Sequence, residues 1–148
     1  MMLTAIGLMS GTSLDGVDVA MIETDGRKVR AFGPSGYRPY SEMERRLLRQ
    51  ALYEAVNLPQ RDARPGILRD AEQAVTLAHA EAVAAFTAQN RISAQDIDIV
   101  GFHGQTVLHR PERGLTVQIG DAAALARAAA SPICTVNPRS GRCSTVWP

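Results

Sequence analysis

The chain has 148 residues, and its 16 Lys and Arg residues against 15 Asp and Glu residues give a formal net charge of +1. This near balance excludes a strongly basic nucleic-acid binder and an acidic tail protein, while a hydrophobic content of 45% excludes intrinsic disorder. No apolar run is long enough to span a membrane, and the N-terminus lacks the charged region of a signal peptide. We therefore expect a cytoplasmic chain with neither a membrane nor a nucleic-acid partner.

The N-terminal part of the chain predicts three short strands and no helix. The strands are Leu3 to Leu8, Val17 to Glu23 and Val29 to Tyr37. Asp25-Gly26 is a hairpin signal between the second and third strands. Gly33-Pro34 is expected to interrupt the third strand. The chain thus opens as a meander of strands.

Two amphipathic helices are predicted next. Ser41 is a good N-cap, and Glu44 three residues later completes a capping box for the first helix, which should end near Pro59. Pro65 suits the first turn of the second helix, whose apolar face continues to about Asn90.

The second half of the chain returns to strands. A buried strand is predicted from Ile97 to Phe102 and a half-buried strand from Leu115 to Ile119. His103 to His109 either extends the first of these strands or turns away from it. An alanine-rich helix runs from its N-cap Asp121 to Ala130, and a strand-like piece follows from Ile133 to Val136. The alternation predicts an α/β fold.

The composition changes after Val136, where no helical or strand period follows. Both cysteines, the only tryptophan and three of the eight prolines lie close to the C-terminal end. We therefore divide the chain into one domain over residues 1–136 and a divergent, disordered tail over residues 137–148. Cys134 and Cys143 are expected as free thiols, because nothing points to an oxidising compartment.

The strongest chemical signal is a loop of glycines and hydroxyls after the first strand. Its residues are Gly11, Thr12, Ser13, Leu14, Asp15, Gly16, Val17 and Asp18. Glycine lets backbone N–H groups approach phosphate oxygens and the hydroxyls add donors, while Asp15 and Asp18 could act through Mg²⁺. The segment is neither a Walker A loop nor a dinucleotide fingerprint. Read alone, it is also compatible with a plain hairpin in which Asp15-Gly16 only makes the turn.

Two further clusters follow strands. His103, Gln105 and Thr106 come after the buried strand, where polar side chains can contact a sugar; a hydrogen-bonded histidine in an ordinary loop is the alternative. Gln118 and Asp121 precede the alanine-rich helix, whose N–H groups could lie near an anion; simple capping is the alternative.

The remaining histidines have ordinary structural explanations. His79 lies at the edge of the apolar face of the second helix and should be partly buried, and His109 should be a surface turn residue. The three histidines share no spacing typical of a metal site. Cys134 and Cys143 lack a basic partner, so neither is given a catalytic role.

Three segments of the chain closely resemble the anhydro-N-acetylmuramic acid kinase family, in the family's order. They are Gly7 to Asp18, Gly101 to His109 and Leu115 to Asp121. The resemblance runs from Met1 to about Val136. It implies the two-lobed fold of sugar kinases, Hsp70 and actin, in which ATP lies between two lobes that each contain a five-stranded sheet. We therefore expect an incomplete N-terminal lobe of that fold.

The resemblance also implies an activity. The family phosphorylates O6 of 1,6-anhydro-N-acetylmuramic acid while water opens the anhydro bridge, giving N-acetylmuramic acid 6-phosphate in cell-wall recycling. By this resemblance Gly11 to Asp18 bind the phosphates of ATP. The place of Asp18 at the start of the second strand suits an outer-sphere contact to Mg²⁺. His103 to Thr106, with Gln118 and Asp121, would face the sugar. ATP and Mg²⁺ are the implied cofactors, and a homodimer is compatible with the full-length family.

The chain also departs from the family. Members are more than twice as long, and the aspartate that activates water is expected beyond Pro148, so no catalytic residue is assigned in this chain. We expect a truncated chain that is inactive alone, with a shifted reading frame as one explanation of the tail. The alternatives are a sugar- or nucleotide-binding remnant without catalysis, a fragment without a role, and a kinase of the same superfamily that acts on another sugar.

Overall fold

Alternating burial along the first strands produces an antiparallel meander. In the computed structural model, which describes residues 1–136 and 142–148, the strands are β1 (Leu3–Ser10), β2 (Gly16–Thr24) and β3 (Val29–Pro39). β1 pairs antiparallel with β2, and β2 with β3. Ile6 and Leu8 are buried while the residues between and after them are exposed, so one face of the sheet is covered. The predicted meander is confirmed.

β3 is not interrupted by Gly33-Pro34, contrary to the prediction. The strand continues through the pair, although neither residue has a partner in the register with β2. That register shifts between Ala20 and Ile22, opposite Gly33-Pro34, and again between Glu23 and Thr24. β3 lies at the edge of the sheet. An edge strand tolerates proline because the missing N–H group need not take part in the ladder.

The first helix, α1 (Glu42–Ala55), begins as its capping signal predicts. The backbone N–H group of Glu44 donates to Oγ of Ser41 at 3.2 Å, and that of Ser41 donates to Oε2 of Glu44 at 2.7 Å. Two of the N-terminal donors are therefore satisfied by the capping box.

The second helix, α2 (Leu68–Asn90), begins later than the sequence predicts. Pro65 lies outside it, because Gly66 takes the left-handed conformation with φ 54° and a helix cannot pass through that residue. The buried residues of the apolar face of α2 include Leu68, Ala71, Val75, Ala78, Ala82 and Phe86. No helix among the described residues combines the length and apolar character that a bilayer crossing requires.

Among the residues that the structure describes, the second half adds five strands, one α-helix and two short 3₁₀ helices. In chain order they are a 3₁₀ helix over Ala94–Asp96, β4 (Ile99–Phe102), β5 (Gln105–Arg110), a 3₁₀ helix over Pro111–Arg113, β6 (Leu115–Ile119), α3 (Ala122–Ala129), β7 (Ile133–Val136) and β8 (Cys143–Val146). β5 pairs antiparallel with β6. The segment after β4 therefore turns away from that strand, at Gly104 with φ 72°.

The strands form one mixed sheet in the order β3-β2-β1-β4-β7-β8. β1 and β7 both run parallel to β4, so the carboxyl ends of these three strands lie at the same edge. β5 joins this edge through one parallel pair, Ser10 with Gln105. Since β6 runs antiparallel to β5, it also ends there. The topology thus collects all three sequence motifs at one sheet edge.

The C-terminal segment differs from its prediction. The expected boundary at residue 137 lies outside the described residues, but residues 143–146 form β8, which pairs antiparallel with β7. The local sequence pattern does not predict β8, because the hydrogen bonds that make it a strand come from its partner β7. Cys134 and Cys143 form a disulfide across this pair, with Cα atoms 5.7 Å apart, so the expectation of free thiols is wrong.

Two glycines of the sheet give a matched test of packing. A Cβ atom at Gly16 would lie 2.8 Å from both Cα of Pro39 and Cε2 of Tyr37, whereas one at Gly7 would have nothing within 4 Å. Gly16→Ala should therefore lower the free energy of unfolding by about 1–3 kcal/mol through overpacking, and Gly7→Ala should cause no loss. Urea denaturation of both variants measures this difference. Equal stability of the two variants would contradict the packing argument.

Candidate functional site

The loop between β1 and β2 is held by a buried leucine. Leu14 has φ 56° and is 4% exposed, and its backbone N–H group donates to the carbonyl oxygen of Gly11 at 3.2 Å. A non-glycine residue in the left-handed region costs free energy, which the burial of its side chain offsets. Thr12, Ser13 and Asp15 are exposed around it. The loop therefore presents hydroxyls and backbone groups outward from a fixed base.

The two glycines of this loop differ in what surrounds them. A Cβ atom at Gly11 would meet only Oγ of Ser13, at 4.0 Å, so packing does not require glycine there. Gly16 instead lies against the backbone of β3. Open space beside Gly11 is compatible with close approach of a ligand, whereas Gly16 is required by the fold itself.

The second and third motifs meet through two glycines. Gly104 has φ 72° and lies against the carbonyl group of Ile119, while Gly120 has φ 147°. A Cβ atom at Gly120 would lie 3.2 Å from Cα of Gly104 and 2.5 Å from Cζ of Phe102. Only glycine fits these positions without displacement of the backbone. The contact places the end of β6 directly beside the turn after β4.

The third motif is also anchored from α2. Oε1 of Glu72 accepts from the backbone N–H group of Gly120 at 3.0 Å and from Nε of Arg64 at 2.9 Å. Oγ1 of Thr76 accepts from the backbone N–H group of Asp121 at 2.9 Å. The orientation of this turn thus depends on the long helix.

The predicted sugar-side residues differ in how much of each side chain is free. Oε1 of Gln105, which is 1% exposed, accepts from Oγ of Ser10 at 2.5 Å, so this amide is a buried structural group. Oδ1 of Asp121 accepts from the backbone N–H group of Ala124 at 2.9 Å, which makes it the N-cap of α3. Thr106 and Gln118 are half-buried.

His103 connects the first motif with the second. Its Nε2 lies 3.2 Å from Sδ of Met9, and its buried Nδ1 has no hydrogen-bond partner within the described part of the chain. The side chain lines a small cavity of about 140 Å³ with Gln118, Gly120 and Thr135. Burial lowers the pKa of His103, so its imidazole is neutral at neutral pH and retains one donor and one acceptor.

His79 is fully buried, not partly buried as the sequence indicates. Its Nδ1 lies 2.7 Å from the carbonyl oxygen of Val75, and its ring makes an edge contact with Phe102 at 5.0 Å between centroids. Because Nδ1 donates to this carbonyl, Nε2 carries the lone pair, and that atom has no partner among the described residues. Burial lowers the pKa of His79 to about 4. The ring of Phe102, which lies against Gly120, is thus packed against the neutral imidazole of His79.

His109 is exposed, as predicted, but lies on β5 instead of in a turn. Its Nδ1 is 2.9 Å from Oγ1 of Thr116 on the neighbouring strand. Over residues 1–136 and 142–148, no three His, Cys, Asp or Glu side chains converge in a way that could hold a metal ion.

Sequence reasoning missed the residues that hold the motifs in place. Tyr40 donates its backbone N–H group to the carbonyl oxygen of Asp15 at 2.8 Å, and its hydroxyl lies 2.8 Å from Oγ of Ser10. Glu72 and Arg64 anchor the third motif from far along the chain. No local pattern marks these residues, because each acts on a partner that only the fold brings near.

One family model covers the segment that contains all three motifs. The family model described as anhydro-N-acetylmuramic acid kinase matches residues 3–139. The chain belongs to this family. The predicted resemblance is confirmed, and the mixed sheet with its helices fits the N-terminal lobe of the sugar-kinase and actin-like fold, as expected.

Curated relatives with this name share high identity with the chain. Those from Bradyrhizobium diazoefficiens and Rhodopseudomonas palustris strain CGA009 are 79% and 75% identical over 133 residues, which are 90% of this chain and 36% of each relative. The relative from Nitrobacter winogradskyi is 70% identical over 132 residues, 89% of this chain and 36% of that protein. The chain thus spans about 36% of the length of these anhydro-N-acetylmuramic acid kinases.

The buried His79 predicts how stability depends on pH. Its pKa is about 4 when folded against an ordinary 6.5, so the unfolded chain binds the extra proton between these values. Stability should be full above pH 6.5 and should fall by about 3 kcal/mol as the pH decreases towards 4. Urea denaturation between pH 7.5 and 4.5 measures most of this loss, because His79 changes the stability between its ordinary pKa of 6.5 and its folded pKa of about 4.

Two variants separate this effect from general acid destabilisation. His79→Leu should flatten the pH dependence, leaving a smaller slope from His103, whose pKa burial also lowers. His109→Gln removes an exposed histidine and should behave as the unmodified protein. An unchanged slope in His79→Leu would contradict the assignment.

Proposed function

We propose that this chain supplies the ATP-phosphate loop and part of the sugar-facing surface of an anhydro-N-acetylmuramic acid kinase. The reaction phosphorylates O6 of 1,6-anhydro-N-acetylmuramic acid and opens the anhydro bridge with water, giving the 6-phosphate sugar and ADP. The observation that carries the proposal is the meeting of all three family motifs at one edge of the sheet, where Met9 contacts His103 at 3.2 Å. Ligands of α/β sheets bind at such edges, beyond the carboxyl ends of the strands.

The loop after β1 is proposed to bind the phosphates through Gly11, Thr12 and Ser13. Gly11 borders open space, and the two hydroxyl residues are exposed. Backbone N–H groups and hydroxyls of this kind bind phosphate oxygens without bringing in a competing negative charge. Leu14 and Val17 are buried, so we assign them the support of the loop and not a side-chain contact.

The sugar is proposed to lie on the side of His103, Thr106 and Gln118. The neutral imidazole of His103 can exchange hydrogen bonds with a sugar hydroxyl, and Nε2 of Gln118 lies 3.4 Å from Oγ1 of Thr106. Gln105 and Asp121, whose side chains already bond to Ser10 and Ala124, would help mainly by fixing the backbone. The aspartate that activates water is proposed to belong to the part of the family protein that follows this segment.

Mg²⁺ is proposed to bind chiefly through phosphate oxygens and water. When bound, it neutralises charge on the phosphates during transfer. Asp18 is exposed on β2 beside Met9, on the sheet face that also carries the contact to His103. One carboxylate near the nucleotide fits an outer-sphere role, because Mg²⁺ usually keeps several waters.

A chimera tests the function directly. Residues 3–136 of this chain would replace the matching segment of the Bradyrhizobium diazoefficiens relative, which is 79% identical over 133 residues. ATP-dependent formation of the 6-phosphate sugar, with ADP released in equal amount, is the expected result. A folded chimera that binds nucleotide without turnover would favour the non-catalytic remnant, and turnover of a different anhydro sugar alone would favour another kinase of the superfamily.

Gly11→Val tests the phosphate loop. Because the structure leaves open space at this position, the variant should keep the stability of the unmodified protein while its added side chain obstructs the nucleotide. We expect kcat/KM for ATP in the chimera to fall by at least about tenfold, the equivalent of one lost charge-assisted hydrogen bond. Unchanged ATP kinetics in the folded variant would refute the assignment of this loop.

Asp18→Asn tests the metal role. The substitution removes one negative charge from an exposed strand position and keeps the shape of the side chain, so folding should be unaffected. Activity of the chimera should decrease, and the Mg²⁺ concentration for half-maximal activity should rise about two- to fivefold, as for a weakened outer-sphere contact. Lower activity with an unchanged Mg²⁺ requirement would remove the metal role from Asp18.

A further inference from the structure

Three buried polar side chains form a continuous chain of hydrogen bonds under the first two motifs. Oγ of Ser10 lies 2.8 Å from the hydroxyl of Tyr40 and 2.5 Å from Oε1 of Gln105, and Nε2 of Gln105 donates to the carbonyl oxygen of Thr106 at 3.2 Å. Tyr40 is 4% exposed and Ser10 is 2% exposed. The groups come from the ends of β1 and β3 and the beginning of β5.

The direction of these hydrogen bonds is fixed by their chemistry. Oε1 of Gln105 has no proton, so the single hydroxyl proton of Ser10 must point to it. Tyr40 must therefore donate to Ser10. Burial raises the pKa of the Tyr40 hydroxyl, which keeps this donor protonated at neutral pH. Every bond in the chain therefore has one arrangement, which removes rotational freedom from all three side chains.

The same three residues hold both motifs at their bases. Besides its hydroxyl contact to Ser10, Tyr40 donates its backbone N–H group to the carbonyl oxygen of Asp15 at 2.8 Å, so it fixes the loop at both ends. Gln105 lies at the other end of this chain of hydrogen bonds and directly follows the His103-Gly104 turn. Burying polar groups is costly unless all of them are bonded, and apolar side chains of similar size would fill this space without that requirement. The polar chain thus gives positional control that apolar packing would not.

We propose that Tyr40, Ser10 and Gln105 are positioning residues that hold the loop over residues 11–15 and the segment over residues 103–106 in one fixed relative position. The inference rests on the proposed function for its ligands: the first segment would bind the phosphates and the second would face the sugar. The donor phosphate and the acceptor hydroxyl must be aligned for transfer, and this chain of hydrogen bonds links the two surfaces directly.

The test uses the 148-residue protein and two single-atom deletions. Tyr40→Phe and Ser10→Ala each remove one hydroxyl. Two variants are the matched controls. Tyr37→Phe changes an exposed tyrosine of β3, three residues before Tyr40, and Ser131→Ala changes a buried serine whose hydroxyl donates to the carbonyl oxygen of Ala129. Hydrogen exchange of residues 11–15, residues 103–106 and α2 is followed by mass spectrometry in the 148-residue protein. The same substitutions are made in the chimera, whose affinity for the Mg²⁺ complex of a non-hydrolysable ATP analogue is measured by calorimetry.

Both variants should raise exchange at least about threefold in the two motif segments and leave α2 unchanged, because Tyr40→Phe loses one buried hydrogen bond and Ser10→Ala loses two. The double variant should exchange no faster than the faster single variant, because one shared chain is broken. Both variants should also weaken binding of the ATP analogue about three- to tenfold. The proposal would be overturned if the two variants raised hydrogen exchange in residues 11–15 alone, or if the control variants raised it by the same amount.

The outcomes also separate this inference from the proposed function. If the unmodified chimera binds no nucleotide but the two segments still respond together, the positioning role stands and the phosphate-loop assignment fails. If nucleotide binds but hydrogen exchange of residues 103–106 is unchanged in both variants, the positioning role fails and the proposed function stands. Tyr40→Phe keeps the whole ring in place, so a folded variant is expected even where Ser10→Ala proves unstable.

Discussion

The pairing of β1 with three other strands is the constraint on which the arrangement of the site depends. β1 runs antiparallel to β2, parallel to β4, and joins β5 through the single pair of Ser10 with Gln105. Parallel strands bring their carboxyl ends to the same edge, so the loop after β1 and the turn after β4 must be neighbours. A register shift of one residue would reverse the buried and exposed faces of β1, and Ser10 would no longer meet Tyr40.

Close backbone contact and buried polar bonds then fix the details. Gly104 and Gly120 allow two turns to touch where any side chain would separate them. The guanidinium of Arg38 binds both carboxylate oxygens of Glu44 at 2.8 Å and also bonds to Glu81, linking β3 to both long helices. Its charge lies 5.9 Å from the ring centre of Tyr40. Tyr40, which contacts both ends of the loop between β1 and β2, is therefore packed against a guanidinium that two carboxylates hold in place.

Two motif residues, Gln105 and Gly16, support the fold at places where the sequence predicts a ligand contact. Gln105 looks like a ligand contact in the sequence, yet its amide is buried and bonded to Ser10. Gly16 looks like a phosphate contact, yet its position is required by the backbone of β3. Motif residues can thus serve the geometry of a site without facing its ligand, and composition alone does not distinguish the two roles.

The sequence by itself determined most of the elements and the family. Alternation predicts the strands, the Ser41 capping box predicts the start of α1, and three motifs in order identify the family that residues 3–139 match. Only the tertiary structure decided that β8 pairs with β7, that His79 is fully buried, and that Tyr40 and Ser10 meet. Local patterns record the preferences of neighbouring residues along the chain. Contacts between distant residues depend instead on strand order and on the side chains that compete for the same buried space, which no short segment encodes.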